Sequence, residues 1–167
     1  MGSWKFLVKS AVSAHEKEQY LLRNADDCDF TRFLSIHPSI EPSVLWKTST
    51  KHNSLRSQFH FLVSQVVADH SSMDNHLCHK CGQFYQDETA HVVLYCCALS
   101  EMRQDLWEEI TDLPNILIGV NLSLLDEEAF LQTLLGKQTI EVTEEELSSI
   151  ITIGAKYVYR MFLKFRN

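Results

Sequence analysis

A cluster of cysteine and histidine residues near the middle of the chain restricts its fold more than any other feature. Four of the five cysteines lie in the segment 76–97, beside several histidines. An odd cysteine count in a chain that shows no signal peptide favours metal ligation over a disulfide framework. Structural zinc takes four cysteine or histidine ligands in a tetrahedron. The pattern C-x2-C-x9-H-x4-C therefore predicts one structural zinc ion per chain, bound by Cys78, Cys81, His91 and Cys96.

The spacing of these ligands makes two demands on the backbone. Cys78 and Cys81 can face one ion only if the chain makes a tight turn, and Gly82 suits that turn because glycine accepts a positive φ. On a regular helix His91 and Cys96 would lie about 140° apart around the axis and would not share a face. The motif therefore predicts that the chain leaves regular helix between His91 and Cys96, with a new helix after Cys97.

Other ligand sets remain open. His76 and His79 are close enough in sequence to compete as ligands, and Cys97 can take the place of Cys96. The same residues are also compatible with free thiols and surface histidines, although a second ligand pair at workable spacing argues against that interpretation. Because all four predicted ligands are protein groups, the predicted site is structural and leaves no open position for catalysis.

Hydrophobic spacing favours helices over most of the chain. Apolar residues recur at intervals of three and four along several segments, as on the buried face of an amphipathic helix. Thr143 and Glu146 form a capping box, Gly136 is placed to end the preceding helix, and Gly154 lies on the apolar stripe of the last helix, where it permits close packing. The predicted helices are 4–22, a short one carrying Val44, Leu45 and Trp46, 52–69, 98–110, 122–135 and 144–165.

The fold class predicted is all-α, a small helical domain with an inserted zinc knuckle or hairpin. Residues 112–119 contain Pro114 and are predicted to form a loop or a short extended piece, and a hairpin is predicted at 77–86. The length of 167 residues fits one domain. That domain, 1–167, divides into a helical N-terminal part (1–75), a zinc-binding segment (76–97) and a helical C-terminal part (98–167).

Charge argues both for and against a nucleic-acid partner. The net charge of −7 repels phosphate backbones, so binding would need a local basic surface. The last helix offers candidate nucleic-acid-binding residues on what is predicted to be one basic ridge: Lys156, Arg160, Lys164 and Arg166. Such a ridge is also typical of an ordinary solvated helix face, and the seven carboxylates between Asp126 and Glu146 can pair with it.

The sequence favours a soluble intracellular protein without catalytic activity. No apolar run approaches the roughly 18–20 residues of a membrane helix, and the first residues lack a signal-peptide core. We therefore expect a cytoplasmic or nuclear location and no membrane partner. No serine elbow, phosphate loop or HExxH motif occurs, so we expect neither an enzyme nor a small-molecule substrate.

Several residues resemble the zinc-binding C-terminal region of reverse transcriptases from non-LTR (LINE-type) retrotransposons. The resemblance rests on Cys78-x2-Cys81-Gly82, the stretch 87–96 and Arg103, together with Ser54-Leu55-Arg56 upstream and Leu134-Leu135-Gly136 downstream. Two departures stand out. Cys97 occupies a position where the family commonly has proline, and the polymerase motifs and the endonuclease do not occur. Asp26-Asp27 lacks the context of catalytic aspartates and is interpreted as a helix cap or a solvated pair.

The resemblance implies a non-catalytic zinc-binding module, detached from a retroelement protein, that assists engagement of RNA or DNA. The alternative is a protein-interaction or scaffold domain with no nucleic-acid role, which the acidic net charge suits. These two functions imply different partners, a nucleic acid or another protein.

Overall fold

A computed structural model of the protein describes residues 44–51, 53–67 and 71–167. The predicted helix 4–22 and Cys28 lie outside these ranges. The described part is mostly helical with one small hairpin, in agreement with the predicted small helical domain. Its helices are α1 (Val44–Lys51), α2 (Arg56–Val67), α3 (Glu88–Ala90), α4 (Ser100–Thr111), α5 (Ile116–Ser123), α6 (Glu127–Leu134) and α7 (Glu144–Arg166).

The last helix, α7, is the central element of the described fold. Its 23 residues begin at the predicted capping box, where the Thr143 backbone N–H donates to Glu146 Oε2 at 2.8 Å and the Glu146 N–H donates to Thr143 Oγ1 at 3.2 Å. Helices α1, α2, α4 and α6 all contact it. The predicted helix 144–165 is thus confirmed, and its buried residues include Leu147, Ile150, Ile151, Ala155, Val158, Phe162 and Phe165.

Two glycines set how α6 meets α7. Gly136 has a φ of 106° and ends α6 in a left-handed turn, where the Lys137 N–H donates to the Gln132 carbonyl at 2.9 Å. A Cβ added to Gly154 would lie 3.0 Å from the backbone carbonyl oxygen of Leu134. The missing side chain therefore lets the two helices approach closely, as the sequence predicts.

The region 112–135 differs from the prediction. The loop predicted at 112–119 already contains the start of α5, and the single helix predicted at 122–135 is divided into α5 and α6. Both helices begin at polar caps: Asn115 Oδ1 accepts from the Leu117 N–H at 3.1 Å, and Asp126 Oδ1 accepts from the Ala129 N–H at 2.7 Å. These local caps outweigh the apolar periodicity that runs across the break.

The hairpin is confirmed but is longer than predicted. Strand β1 (Ser71–Leu77) pairs antiparallel with β2 (Phe84–Asp87), with Leu77 opposite Phe84 and an irregularity towards Ser71. Residues 71–75, which the sequence places in the helical N-terminal part, thus belong to the hairpin that carries the cysteines. None of the described helices has the length and apolar character needed to cross a bilayer.

Candidate metal centre

The turn after β1 brings the first two cysteines together. Cys78 follows the strand directly; its N–H donates to the Gln83 carbonyl at 2.9 Å, and the Gly82 N–H donates to the Cys78 carbonyl at 2.8 Å. Gly82 adopts a φ of 74°, which confirms the predicted need for glycine. The two short hydrogen bonds fold Cys81 back towards Cys78.

The second ligand pair lies on a widened helical turn. Helix α3 is capped by Asp87, whose Oδ1 accepts from the Ala90 N–H at 3.0 Å, and it continues into a π-helical turn at His91–Tyr95. The Cys96 N–H donates to the His91 carbonyl, five residues earlier, at 2.7 Å. A 3₁₀ turn at Cys97–Leu99 then leads into α4. This confirms that the chain leaves regular α-helix between the two residues, and the extra residue in the turn turns Cys96 towards His91.

The four predicted ligands converge. The ligand atoms of Cys78, Cys81, His91 and Cys96 all lie within 4.8 Å of one another. Cys78 Sγ is 3.9 Å from Cys96 Sγ, and Cys81 Sγ is 3.5 Å from His91 Nε2. In a tetrahedron with ordinary zinc bond lengths, sulfurs are about 3.8 Å apart and a sulfur and a nitrogen about 3.6 Å. Both observed distances fit edges of that tetrahedron, and 3.9 Å is far longer than a disulfide bond of about 2.05 Å.

Aromatic side chains hold the His91 imidazole in place. The ring of Tyr85 stacks on it with centroids 4.7 Å apart and an interplanar angle of 13°, and Phe165 approaches its edge at 6.1 Å. His91, Cys78 and Cys96 are buried, whereas Cys81 is partly exposed. The hairpin thus covers one side of the cluster and the end of α7 covers another.

Burial keeps the Cys96 thiol protonated and the His91 imidazole neutral when no cation is bound. Burial raises the pKa of the Cys96 thiol to about 12. Burial, with the charge of Arg103 as a second cause, lowers the pKa of His91. The imidazole is therefore in the form that binds a metal, while the Cys96 thiol must lose a proton before it can do so.

Arg103 contacts the cluster from α4. Its Nη2 donates to the Cys96 carbonyl at 2.7 Å, while its buried Nη1 has no hydrogen-bond partner among the described residues. Burial lowers the pKa of Arg103, and the nearby Cys96 and Cys97 act in the opposite direction. A guanidinium held here can compensate the negative charge that the cysteines carry if they bind a cation as thiolates.

The competing ligands lie outside the cluster. Cys97 is exposed, so the structure selects Cys96 of the two neighbours. His76 and His79 are also exposed and serve as aromatic neighbours: His76 lies 5.8 Å from Tyr85, and His79 lies 5.6 Å from Phe165, between ring centroids. Sequence reasoning missed the roles of Tyr85 and Phe165, because Phe165 is distant in sequence and no local pattern marks it.

The segment after His91 contacts helices α6 and α7. Val92 and Val93 are buried, whereas Tyr95 is exposed and its hydroxyl donates to Glu127 Oε2 at 2.6 Å. Helix α3, which directly precedes this segment, is linked to α2 by a hydrogen bond from Thr89 Oγ1 to Gln65 Oε1 at 3.5 Å.

The four basic residues proposed for nucleic-acid binding do not form one ridge. Lys156 is half-buried and pairs with Glu109 at 2.6 Å. Arg160 and Lys164 are exposed at the four-residue spacing that continues one side of α7. Arg166 lies on another side, where its guanidinium is 5.9 Å from the ring of Phe61. The acidic partner of Lys156 is thus Glu109 on α4, outside the stretch 126–146.

No protein-family model matches this chain, and no curated protein or solved structure matches it either. The resemblance to retrotransposon reverse transcriptases therefore stays a prediction from the residues.

Proposed function

We propose that this chain is a zinc-stabilised binding module without catalytic machinery. One zinc ion, held by Cys78, Cys81, His91 and Cys96, would fasten the hairpin to the turn that leads into α4. The observation that carries this proposal is the convergence of one imidazole nitrogen and three sulfurs within 4.8 Å of one another.

The donor set favours zinc in a structural role. Three thiolates and one imidazole satisfy the tetrahedron that Zn²⁺ prefers, and protein groups take every position, so none is left for a substrate. Zinc with three thiolates carries a net charge of −1, which the guanidinium of Arg103 beside Cys96 offsets. Zinc bound in this way contributes on the order of 10 kcal/mol to folding.

Engagement of RNA or DNA is the role that the sequence resemblance implies for such a module. Arg160 and Lys164, both exposed on α7, are the residues we assign to phosphate contacts, with Lys156 free to join them only if it leaves Glu109. The alternative is a protein-interaction domain. The net charge of −7 and the ion pair of Lys156 favour that alternative.

Neighbouring cysteines provide a matched test of the metal site. We expect metal analysis of the purified chain, and of its Cys97→Ser variant, to give about one zinc per chain. Cys96→Ser should lose most of the zinc and unfold at a markedly lower temperature. Equal behaviour of the two variants, or a wild-type chain that stays fully folded without metal, would contradict the proposal.

Salt dependence separates the two binding roles. Binding of single-stranded RNA or duplex DNA by Arg160 and Lys164 should weaken steeply with salt, and the double variant Arg160→Gln, Lys164→Gln should flatten that dependence. The matched control is Lys80→Gln, which removes an exposed charge from the hairpin turn. Absence of binding even at low salt would exclude the nucleic-acid role and leave the protein-interaction role.

A further inference from the structure

Helix α5 presents large apolar side chains to solvent. Ile116 is 77% exposed, Leu117 59%, Val120 51% and Leu124 79%. At about 100° per residue these four positions fall within an arc of about 100°, so they form one continuous apolar side, which we call the α5 face. Large apolar side chains grouped in this way mark interaction sites more often than single exposed ones do.

A groove adjoins the first turn of the α5 face. It has a volume of about 520 Å³ and lies between the start of α5 and the start of α7. Leu113, Pro114 and Ile118 supply its apolar lining, and Glu145 and Glu146 supply carboxylates. The groove offers a concave site beside a convex apolar helix, a shape that can take part of a bound polypeptide.

Carboxylates flank α5 in the sequence and at the groove. Between Arg103 and Lys137 the sequence contains no lysine, arginine or histidine. Asp112 lies four residues before the start of α5, and carboxylates occur at 126–128, three to five residues after its end. With Glu145 and Glu146 at the groove, these residues give both ends of the apolar side acidic neighbours among the described residues.

We propose that the α5 face is a docking site for a cationic amphipathic helix of a partner protein, with its apolar side on α5 and its lysines or arginines on the acidic rim. Charge complementarity selects this occupant. A second copy of the chain would bring one acidic rim against another, and a nucleic acid would be repelled. This partner specifies the protein-interaction role proposed above, and its docking does not depend on which metal the cysteine cluster binds.

The probe is a fluorescent leucine–lysine peptide of about 18 residues, about five helical turns, titrated into the full zinc-loaded chain. We expect binding that weakens as salt rises. The double variant Leu117→Ser, Leu124→Ser should lower the affinity about tenfold or more, since each leucine loses buried apolar area without any change of charge. The matched control is Leu163→Ser, at an exposed leucine on α7 outside the α5 face. Zinc content measured on the same samples separates a failure of this proposal from a failure of the metal site.

Three outcomes would overturn the proposal. The first is equal affinity of the peptide for the wild-type chain and the double variant. The second is equal binding of a leucine–glutamate peptide, which would remove the charge selection. The third comes from a photoreactive p-benzoylphenylalanine at position 124: cross-linking to a second copy, or to residues 1–43 of the same chain, would identify a different occupant of the face.

Discussion

The Nη2 atom of Arg103 donates a hydrogen bond to the carbonyl oxygen of Cys96 at 2.7 Å, and so ties α4 to the residue that ends the π-helical turn. The other terminal nitrogen, Nη1, is buried and has no hydrogen-bond partner among the described residues. The contact thus joins the backbone of a ligand residue to the helix that follows it.

Loss of this contact should loosen the metal site. We expect Arg103→Met to lower the free energy of unfolding by about 2 kcal/mol, since a charged donor to a buried carbonyl is lost, and to weaken zinc affinity. Urea unfolding and competition with a chromophoric chelator measure the two effects. Lys164→Met, on the exposed side of α7, is the control; a similar loss there would show that Arg103 has no particular role.

Gly82 should be required for its backbone conformation and not for lack of space around it. A Cβ at this position meets no atom within 4 Å, yet the φ of 74° is unfavourable for L side chains. We expect Gly82→Ala to cost about 1–2 kcal/mol and Gly82→Asn less, because asparagine tolerates this conformation better. Chelator competition should rank zinc affinity as glycine, then asparagine, then alanine. Equal affinities would mean that the turn does not position the sulfurs.

Two helical glycines provide a matched pair for packing. A Cβ at Gly154 would lie 3.0 Å from the Leu134 carbonyl oxygen, which is fixed in α6, whereas one at Gly119 would meet the methyl group of Thr111, an exposed side chain at the end of α4. We expect Gly154→Ala to destabilise the chain by roughly 1–3 kcal/mol. Gly119→Ala should be neutral or stabilising by up to about 1 kcal/mol. Urea midpoints of the two variants test the contrast, and the reverse order would contradict it.

Zinc binding should release protons and weaken in acid. Burial holds the pKa of the Cys96 thiol at about 12, so this thiol is protonated at neutral pH and zinc must displace its proton. His91 has a lowered pKa and contributes none at neutral pH. Zinc affinity should fall about tenfold per pH unit for each displaced proton. Calorimetric titration in buffers of different ionisation enthalpy counts the protons, and a count of zero would exclude thiolate ligation.

The ion pair between Glu109 and Lys156 should stabilise the fold at neutral pH and lose this effect in acid. Burial alone would raise the pKa of Glu109, but hydrogen bonds from Lys156 and Tyr157 outweigh it and hold that pKa below its ordinary 4.5. The stabilisation is therefore complete above about pH 4.5 and is lost as the pH falls through the lower, folded-state value. Because both side chains are partly exposed, we expect about 0.5 kcal/mol.

The test compares Glu109→Gln with the wild-type chain in urea. The difference in unfolding free energy should be present at pH 7 and should shrink as the pH falls below about 4.5. Glu108→Gln, which alters the adjacent carboxylate outside this ion pair, should show no such decrease. A difference for Glu109→Gln that stays constant in acid would show that the shape of the side chain, and not its charge, causes the stabilisation.

The convergence of the cysteines and His91 was predictable because the residues that determine it are close in sequence. The separation of Cys78 from Cys81 requires a turn, Gly82 makes that turn possible, and the separation of His91 from Cys96 excludes regular helix. Each of these constraints involves residues close in sequence, and each is met.

What the sequence did not reveal depends on contacts between distant residues or on weak local signals. The pairing of Lys156 with Glu109 joins two helices, and periodicity within α7 carries no information about α4. The sequence predicts one helix at 122–135 because its apolar pattern is continuous. In the structure a new helix begins after Asp126, and the local signal for that start is the capping side chain of Asp126 itself.

Because of the π-helical turn at His91–Tyr95, the number of residues between His91 and Cys96 matters more than which aliphatic side chains those residues carry. Replacement of Leu94 by another aliphatic residue keeps the wide turn and the direction in which Cys96 faces. An added residue would put the cysteine six positions after His91, about 120° away around an ordinary helix, and would turn its sulfur away from the imidazole. Evolutionary relatives of this chain can therefore accept aliphatic substitutions in this turn more easily than an insertion.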